Sequence, residues 1–397
     1  MKVLVTDGDN RAALAITRSL GKAGHHVVVG ERKETSLSSV SSSCRGRFVY
    51  PDPVSHPRGF IEALLGRAAE EGIDVIMPVS DISTLLVTGH RHMFTKSRIP
   101  FASFETLDMA ARKDRLFETA RELNIPVPRT VVLKRNGEGH KGNLDIDFPV
   151  VVKPHRSRIQ GPDGKWLSAS VSYASDRNEL LNVLGMKKGQ YPLLLQERIQ
   201  GPGIGVFACY DRGALKAIFS HRRLREKPPS GGVSVLCESI PVPALAREYT
   251  EALLGRLGWH GVAMVEFKLD ERDGVPKLME INGRFWGSLQ LAIDAGVDFP
   301  SMLMDIAMGR EVRPCFEYRT GVRTRWFWGD VDSLLMVLLK NRRSLQLPPD
   351  HPGKLGSILR FLKPSLNGTH LDVLRLNDPR PWFHETSMWF RNQLGRG

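Results

Sequence analysis

The sequence predicts a chain that opens as an α/β layer and continues through strand hairpins. Three observations predict it. Residues 1 to about 100 alternate short apolar strands with helices of 3.6-residue periodicity, the βαβ rhythm of a parallel sheet covered by helices. Residues 262–282 read as two strands, VAMVEFKLD and VPKLMEIN, joined by Glu271-Arg272-Asp273-Gly274. Residues 201–224 form a second hairpin, about the turn Asp211-Arg212-Gly213.

The order of elements follows from turn chemistry. Residues 2–6 are an apolar strand, and Asp9 or Asn10 caps a helix that begins at Arg11 and ends at Gly24. A strand at 26–30, a helix at 60–71 stopped by Gly72, and a strand at 74–78 complete the repeat. The first turn reads GDNRAA rather than GxGxxG, so a dinucleotide is not the expected ligand. One long helix is predicted over 106–123, with Lys113 in its middle, where a solvated side chain is the simplest reading. FPVVVKP at 148–154 is a buried strand that ends in Lys153, and a buried ammonium there calls for an anionic partner such as phosphate. Residues 155–172 are polar, with Arg156, Arg158, Gly161 and Gly164, and read as a mobile lid over phosphates. YPLLLQERI at 191–199 is another strand, and a helix at 243–257 follows the second hairpin. Two helices split at Gly296 and Pro300 come next, and a short apolar helix lies at 331–339. Trp326, Trp328, Trp382 and Trp389 read as packing residues.

Folding the 262–282 hairpin about its turn brings Glu266 opposite Glu280 or within one residue of it, with Asn282 on the same face as Glu280. Opposed like charges destabilise a hairpin, and a divalent cation removes the conflict. Two carboxylates and an amide oxygen are hard ligands suited to Mg²⁺ that also holds phosphate oxygens. Arg284, a permanently charged fork, follows two residues later. A surface hairpin with solvated acids is the alternative. In the other hairpin, alternation puts His221 and Arg223 on one face and Arg222 on the other, beside the Ser-Gly-Gly loop. That basic strand end suits a carboxylate or phosphate.

The chain has 397 residues, 41% of them hydrophobic and 25% charged, which is ordinary for a globular protein of two or three domains. No apolar run approaches the roughly 18 residues of a membrane span, and the opening MKVLVTDGDN lacks a signal-peptide h-region, so a cytoplasmic location is expected. Cys44, Cys209, Cys237 and Cys315 are scattered, which points to reduced thiols rather than disulfides or zinc. The net charge of +13 suits anionic small molecules, and with no long Lys/Arg block or nucleic-acid motif, DNA or RNA is not an expected partner. From Lys340 onward ten Lys/Arg face four Asp/Glu, a solvated basic face with peripheral contact to an anionic membrane as the alternative.

The ordered set KDRLFETARELNIPVPRT, FPVVVKP, LLLQERIQGPG, a basic hairpin ending in PPSGG, and VEFKLD…LMEINGRFWGS resembles the ATP-grasp superfamily. It resembles in particular the superfamily's carboxylate–amine ligases related to carbamoyl-phosphate synthase large chains, and the resemblance covers roughly residues 1–310. The resemblance implies a mixed α/β and α+β fold: a Rossmann-like pre-ATP-grasp domain at 1–105, a linking helix at 106–128, a lid subdomain at 129–200 and a second ATP-grasp subdomain at 201–310. A basic extension occupies 311–397. Carried over by position, it places Lys113 and Lys153 on ATP phosphates and Glu197 on the adenine amine, with the backbone around Arg198 and Ile199 at the hinge. It also implies Mg²⁺, with Mn²⁺ as a substitute, on Glu266, Glu280 and Asn282, and Arg284 on the transferring phosphoryl group. The family's usual acidic ribose contact has no counterpart in Gly201-Pro202-Gly203-Ile204-Gly205, and its Asn-Pro-Arg or Asn-Ala-Arg is Asn282-Gly283-Arg284 here.

The expected function is therefore ADP-forming ligation of a small carboxylate to an amine through an acyl phosphate. His221, Arg222 and Arg223 are the candidates for holding the carboxylate. A homodimer is expected by analogy alone. A kinase or carboxylase-type enzyme with another acceptor, and a non-catalytic nucleotide sensor, are the alternatives.

Overall fold

The computed structural model describes residues 1–133, 146–161, 166–168, 171–187, 191–342, 344–345, 347, 351–363 and 369–395. The N-terminal sheet holds β1 (Lys2–Val5), β2 (His26–Glu31), β3 (Cys44–Val49) and β4 (Val75–Met77), all parallel, in the order β3-β2-β1-β4. Helices α1 (Arg11–Lys22), α2 (Pro57–Glu71) and α3 (Asp81–Gly89) connect them. Asn10 caps α1 by accepting from Ala12 N at 2.9 Å, and α3 opens on a Ser80/Ser83 capping box. β3 escaped the sequence reading because CRGRFV buries only Phe48, as an edge strand does. β1 and β4 are neighbours, so the turns at their C-terminal ends lie side by side, and Asp7 Oδ2 accepts from Ser80 N at 3.0 Å.

The long helix expected over 106–123 is two helices, α4 (Phe104–Ala111) and α5 (Lys113–Glu122), broken at Arg112, whose ψ of 99° is extended. The break frees the Lys113 N–H to donate to His155 O at 2.9 Å, and Lys113 is buried rather than solvated.

An antiparallel sheet follows, in the order β5-β10-β6-β9. Its strands are β5 (Thr130–Leu133), β6 (Val150–Pro154), β9 (Ser172–Ala174) and β10 (Leu193–Glu197), with α6 (Arg177–Lys187) packed on it through Leu180. The stretch expected to be an irregular lid contains a strand pair, β7 (Arg158–Gln160) with β8 (Trp166–Ser168). Trp166 N donates to Val54 O, tying this pair to the N-terminal layer. Gly164, part of that expectation, lies outside the described residues.

The largest sheet has the order β15-β14-β11-β12-β13-β16-β17. It comprises β11 (Gly203–Asp211), β12 (Ala214–Lys227), β13 (Val233–Ser239), β14 (Gly261–Leu269), β15 (Pro276–Asn282), β16 (Arg323–Arg325) and β17 (Thr369–Leu371). Helices α7 (Ala244–Arg256), α8 (Leu289–Ala295), α9 (Phe299–Ala307), α10 (Phe327–Leu339), α11 (Gly353–Leu362) and α12 (Arg380–Leu394) complete the fold. Trp286 is buried against Phe207 (ring centroids 4.3 Å apart) and Phe299 (5.1 Å), a contact that fixes the loop after Arg284 at about 2–3 kcal/mol per buried aromatic.

Residues beyond 310 are part of the body rather than an appendage. They supply two strands to the largest sheet, and Arg18 of α1 meets Asp378 at 2.8 Å. Trp328 stacks on Trp389 at 4.3 Å and on Trp382 at 6.1 Å, joining α10 to α12. Among the described residues, no helix is long and apolar enough to cross a membrane.

Candidate active site

A cleft of about 450 Å³ lies between the β5-β10-β6-β9 sheet and the large sheet. Lys113, Lys153, Glu266, Glu280, Asn282 and Arg284 all line it. Glu266 and Glu280 are paired residues across β14 and β15, with a bulge immediately after Glu266, so the register read from the turn is the one that forms. Asn282 Nδ2 donates to Glu280 Oε1 at 3.1 Å, keeping the amide on the carboxylate face.

Each acid faces a cation of the chain: Glu280 Oε2 is 3.0 Å from Lys113 Nζ, and Glu266 Oε2 is 2.5 Å from Arg223 Nη2. Lys113, then the Asn282 amide and Lys153, hold the Glu280 carboxyl below its usual range against the effect of burial. Burial and the nearby Glu280 push Glu266 the other way. The two carboxylates and the Asn282 amide are hard oxygen donors on one face of one cleft, a set that fits Mg²⁺.

Lys153 is 6% exposed, with Nζ 5.8 Å from the centre of the Phe117 ring. Burial, followed by repulsion from Lys113, lowers its ammonium from 10.5 to about 7. Lys113 Nζ also donates to Ser157 Oγ at 3.1 Å. Arg284 donates from Nε to Asp81 Oδ1 at 2.7 Å and from Nη2 to Asn282 Oδ1 at 3.2 Å. Burial opposes the Arg284 charge, and Asp81 restores it. A Cβ at Gly283 would run into Leu107, which explains glycine between Asn282 and Arg284.

The three residues expected to hold a carboxylate are placed differently. Arg222 points away from the cleft and pairs with Glu238 at 2.6 Å, as strand alternation requires. Arg223 lines the cleft, but its Nη1 meets Glu226 at 3.0 Å while its Nη2 meets Glu266. Burial works against the Arg223 charge, and these two acids more than offset it. His221 is 1% exposed and lies edge-on to Phe207, and burial, then Arg223, lowers its imidazole to about 3. A neutral ring of this kind, with Nε2 unpartnered and Nδ1 3.3 Å from Ser288 Oγ, is not a cationic carboxylate clamp.

Glu197 stands at the cleft, but both its oxygens are engaged: Oε1 accepts from Arg129 N at 2.8 Å and Oε2 from Arg272 Nη1 at 3.0 Å. Arg198 and Ile199 line the same wall, and Ile199 O accepts from Lys268 Nζ at 3.3 Å. Asp81, Ser157, Glu226 and Arg11 were missed in the sequence. A signal existed for two of them, since Arg11 and Asp81 follow adjacent parallel strands at their C-terminal ends, where open α/β sheets gather ligands.

A parallel N-terminal layer, a small antiparallel sheet and a larger sheet carrying paired acids on an edge hairpin together define the ATP-grasp fold. Residues 190–329 match the family model described as ATP-grasp in the biosynthetic pathway with Ter operon. A D-aspartate ligase of Enterococcus faecium (strain Aus0004) is 23% identical over 251 residues, covering 59% of this chain and 58% of that ligase, so the likeness spans little more than half the relative's length. The L-amino acid ligase of Bacillus licheniformis superposes with a TM-score of 0.62 at 15% identity, over 79% of this chain and 77% of that one. The biotin carboxylase of Campylobacter jejuni gives 0.63 at 15% identity, over 81% and 74%.

Proposed function

We propose that the protein is an ATP-dependent carboxylate–amine ligase. The observation that carries this reading is the convergence of Lys113, Lys153, Glu266, Glu280, Asn282 and Arg284 on one cleft. In this scheme a substrate carboxylate oxygen attacks the γ-phosphorus of ATP, ADP leaves, and an acyl phosphate forms. An amine nitrogen then attacks the carbonyl carbon, phosphate leaves, and the nitrogen loses a proton. Glu266, Glu280 and Asn282 would hold Mg²⁺ (or Mn²⁺), which when bound offsets charge on the phosphates.

The chain's own residues do the rest. Lys113 and Lys153 supply cations to the phosphate oxygens, and Lys113 exchanges its Glu280 partner for phosphate. Arg284, braced by Asp81, presents a fixed charge to the transferring group. The backbone of Arg198 and Ile199 forms the adenine edge. Glu197, held by Arg129 N and Arg272 Nη1, keeps acceptor capacity for the adenine amine. Names of the relatives make amino acids, D-aspartate among them, the first carboxylates and amines to test.

The test is ADP release from ATP and Mg²⁺ across a grid of carboxylates and amines, each tested with and without the other. Release that needs both partners supports ligation. Release with carboxylate or bicarbonate and no amine favours a kinase or carboxylase-type reaction. ATP binding without turnover of any pair leaves the nucleotide-sensor reading.

A further inference from the structure

Past Arg284 and Gly287 the cleft opens into a second cavity of about 550 Å³. Its far wall is α12, through His384, Glu385, Met388 and Asn392. Asp9 and Lys33 form the side that belongs to the N-terminal layer. The stretch of chain without a readable motif therefore builds one side of a chamber that adjoins the cleft.

Arg11 and Arg284 stand at the seam, lining both spaces. Arg284 is already engaged: Nε and Nη2 donate to Asp81, and Nη1 donates to Phe285 O. Arg11 is held but not used up. Asp372, next to β17, takes its Nη1, and its guanidinium carbon lies 4.1 Å from the centre of the Trp326 ring. A Cβ at Gly287 would stand 3.0 Å from Arg11 Nη2, so the guanidinium lies against the loop that follows Arg284. Nη2 and Nε, the two nitrogens of one guanidinium edge, have no hydrogen-bond partner among the described residues. That edge matches the two oxygens of a carboxylate.

We propose that this cavity binds the carboxylate substrate, with Arg11 clamping the carboxylate at the seam and α12 selecting the remainder of the molecule. Arg11 offers its guanidinium edge to a carboxylate, while Asp9, which also holds Lys33 at 2.7 Å, and Glu385 offer oxygens to an ammonium, so the fitting class is a zwitterion, a small amino acid or amino-acid derivative. This rests on the ligase reading above, and it replaces His221, Arg222 and Arg223 as the carboxylate-holding group.

The experiment uses the full chain, ATP, Mg²⁺ and hydroxylamine as a general nucleophile, with amino acids of both hands, succinate and glutarate as carboxylates. An acyl phosphate and hydroxylamine give a hydroxamate and phosphate, so the readout does not depend on the natural amine. Wild-type protein is expected to form hydroxamate with an amino acid. Arg11→Gln should raise the KM for that amino acid by at least about tenfold while the KM for ATP stays within about twofold. Met388→Trp, which fills the far end without touching the Asp372 contact, should raise the same KM. Thermal unfolding checks that each variant is folded, and Met388→Trp decides if Arg11→Gln is not. Unchanged amino-acid KM in the folded variants overturns the site while leaving the ligase intact. Faster turnover of succinate or glutarate than of any amino acid overturns the zwitterion class. No hydroxamate and no carboxylate-dependent ADP from wild type overturns the ligase reading, and the site with it.

Discussion

Lys113 Nζ stands 3.0 Å from Glu280 Oε2, and it reaches there because the helix carrying it restarts at that residue. An unbroken helix would have no free N–H for His155 O and would not tie this position to the end of β6. The contact sets a cation beside a proposed metal ligand.

Glu280→Gln should cut ADP release by about a hundredfold or more, because a neutral amide is a poor ligand for Mg²⁺. It should also cost stability, on the order of 2 kcal/mol, since Lys113 loses its charged partner. Steady-state kinetics and urea unfolding read the two effects separately. Full activity in the folded variant sinks the metal assignment.

Lys153 predicts a proton-linked ATP affinity. With the ammonium lowered to about 7 by burial and Lys113, the group is partly neutral just above neutrality, and phosphate would restore its proton. ATP binding at about pH 8 should therefore take up protons, seen by calorimetry in buffers of different ionisation enthalpy, and Lys153→Met should abolish the uptake. In the free protein the unfolded chain holds the extra proton between about pH 7 and 10.5, so stability should rise with pH across that window and rise less in the variant. Equal uptake by both proteins contradicts the phosphate role.

His221 predicts acid lability. Its folded value near 3 lies below the ordinary 6.5, so the unfolded chain binds the proton first, and stability is lost as pH falls from 6.5 toward 3. His221→Phe keeps an aromatic against Phe207 and removes the titration. The variant should hold its Tm better than wild type near pH 4, while hydroxamate formation at pH 8 changes little. A large rise in the carboxylate KM instead would return His221 to the substrate.

Arg223 and Glu266 should behave as one unit. Arg223→Met strands the Glu226 and Glu266 carboxylates and should cost about 3 kcal/mol in urea unfolding. Adding Glu266→Gln should recover part of that loss, with a coupling of about 1 kcal/mol or more. Strict additivity would mean that the 2.5 Å contact carries no energy.

Much of the scaffold was legible because it rests on local chemistry. Asn10 caps the first helix as its side chain requires, Gly24 and Gly72 end helices where φ is positive, and the turn after Leu269 sets Glu266 against Glu280. Period-2 alternation placed Arg222 opposite His221 and Arg223. The break at Arg112 was not legible, because TLDMAARKDRLFETAREL keeps helical periodicity on both sides of it and only a tertiary contact, Lys113 N to His155 O, rewards the interruption.

The sequence by itself determined the main strands and helices before residue 310, the hairpin register and the pairing of Glu266 with Glu280, all of which depend on neighbours a few residues apart. Tertiary structure alone decided which charges are already paired. Arg223 is committed to Glu266, each oxygen of Glu197 accepts from an arginine, and His221 is neutral. Folding also brought Arg11, Arg284 and the last helix around one chamber. Charge pairing and burial depend on residues tens to hundreds of positions away, and no local pattern encodes a partner at that distance.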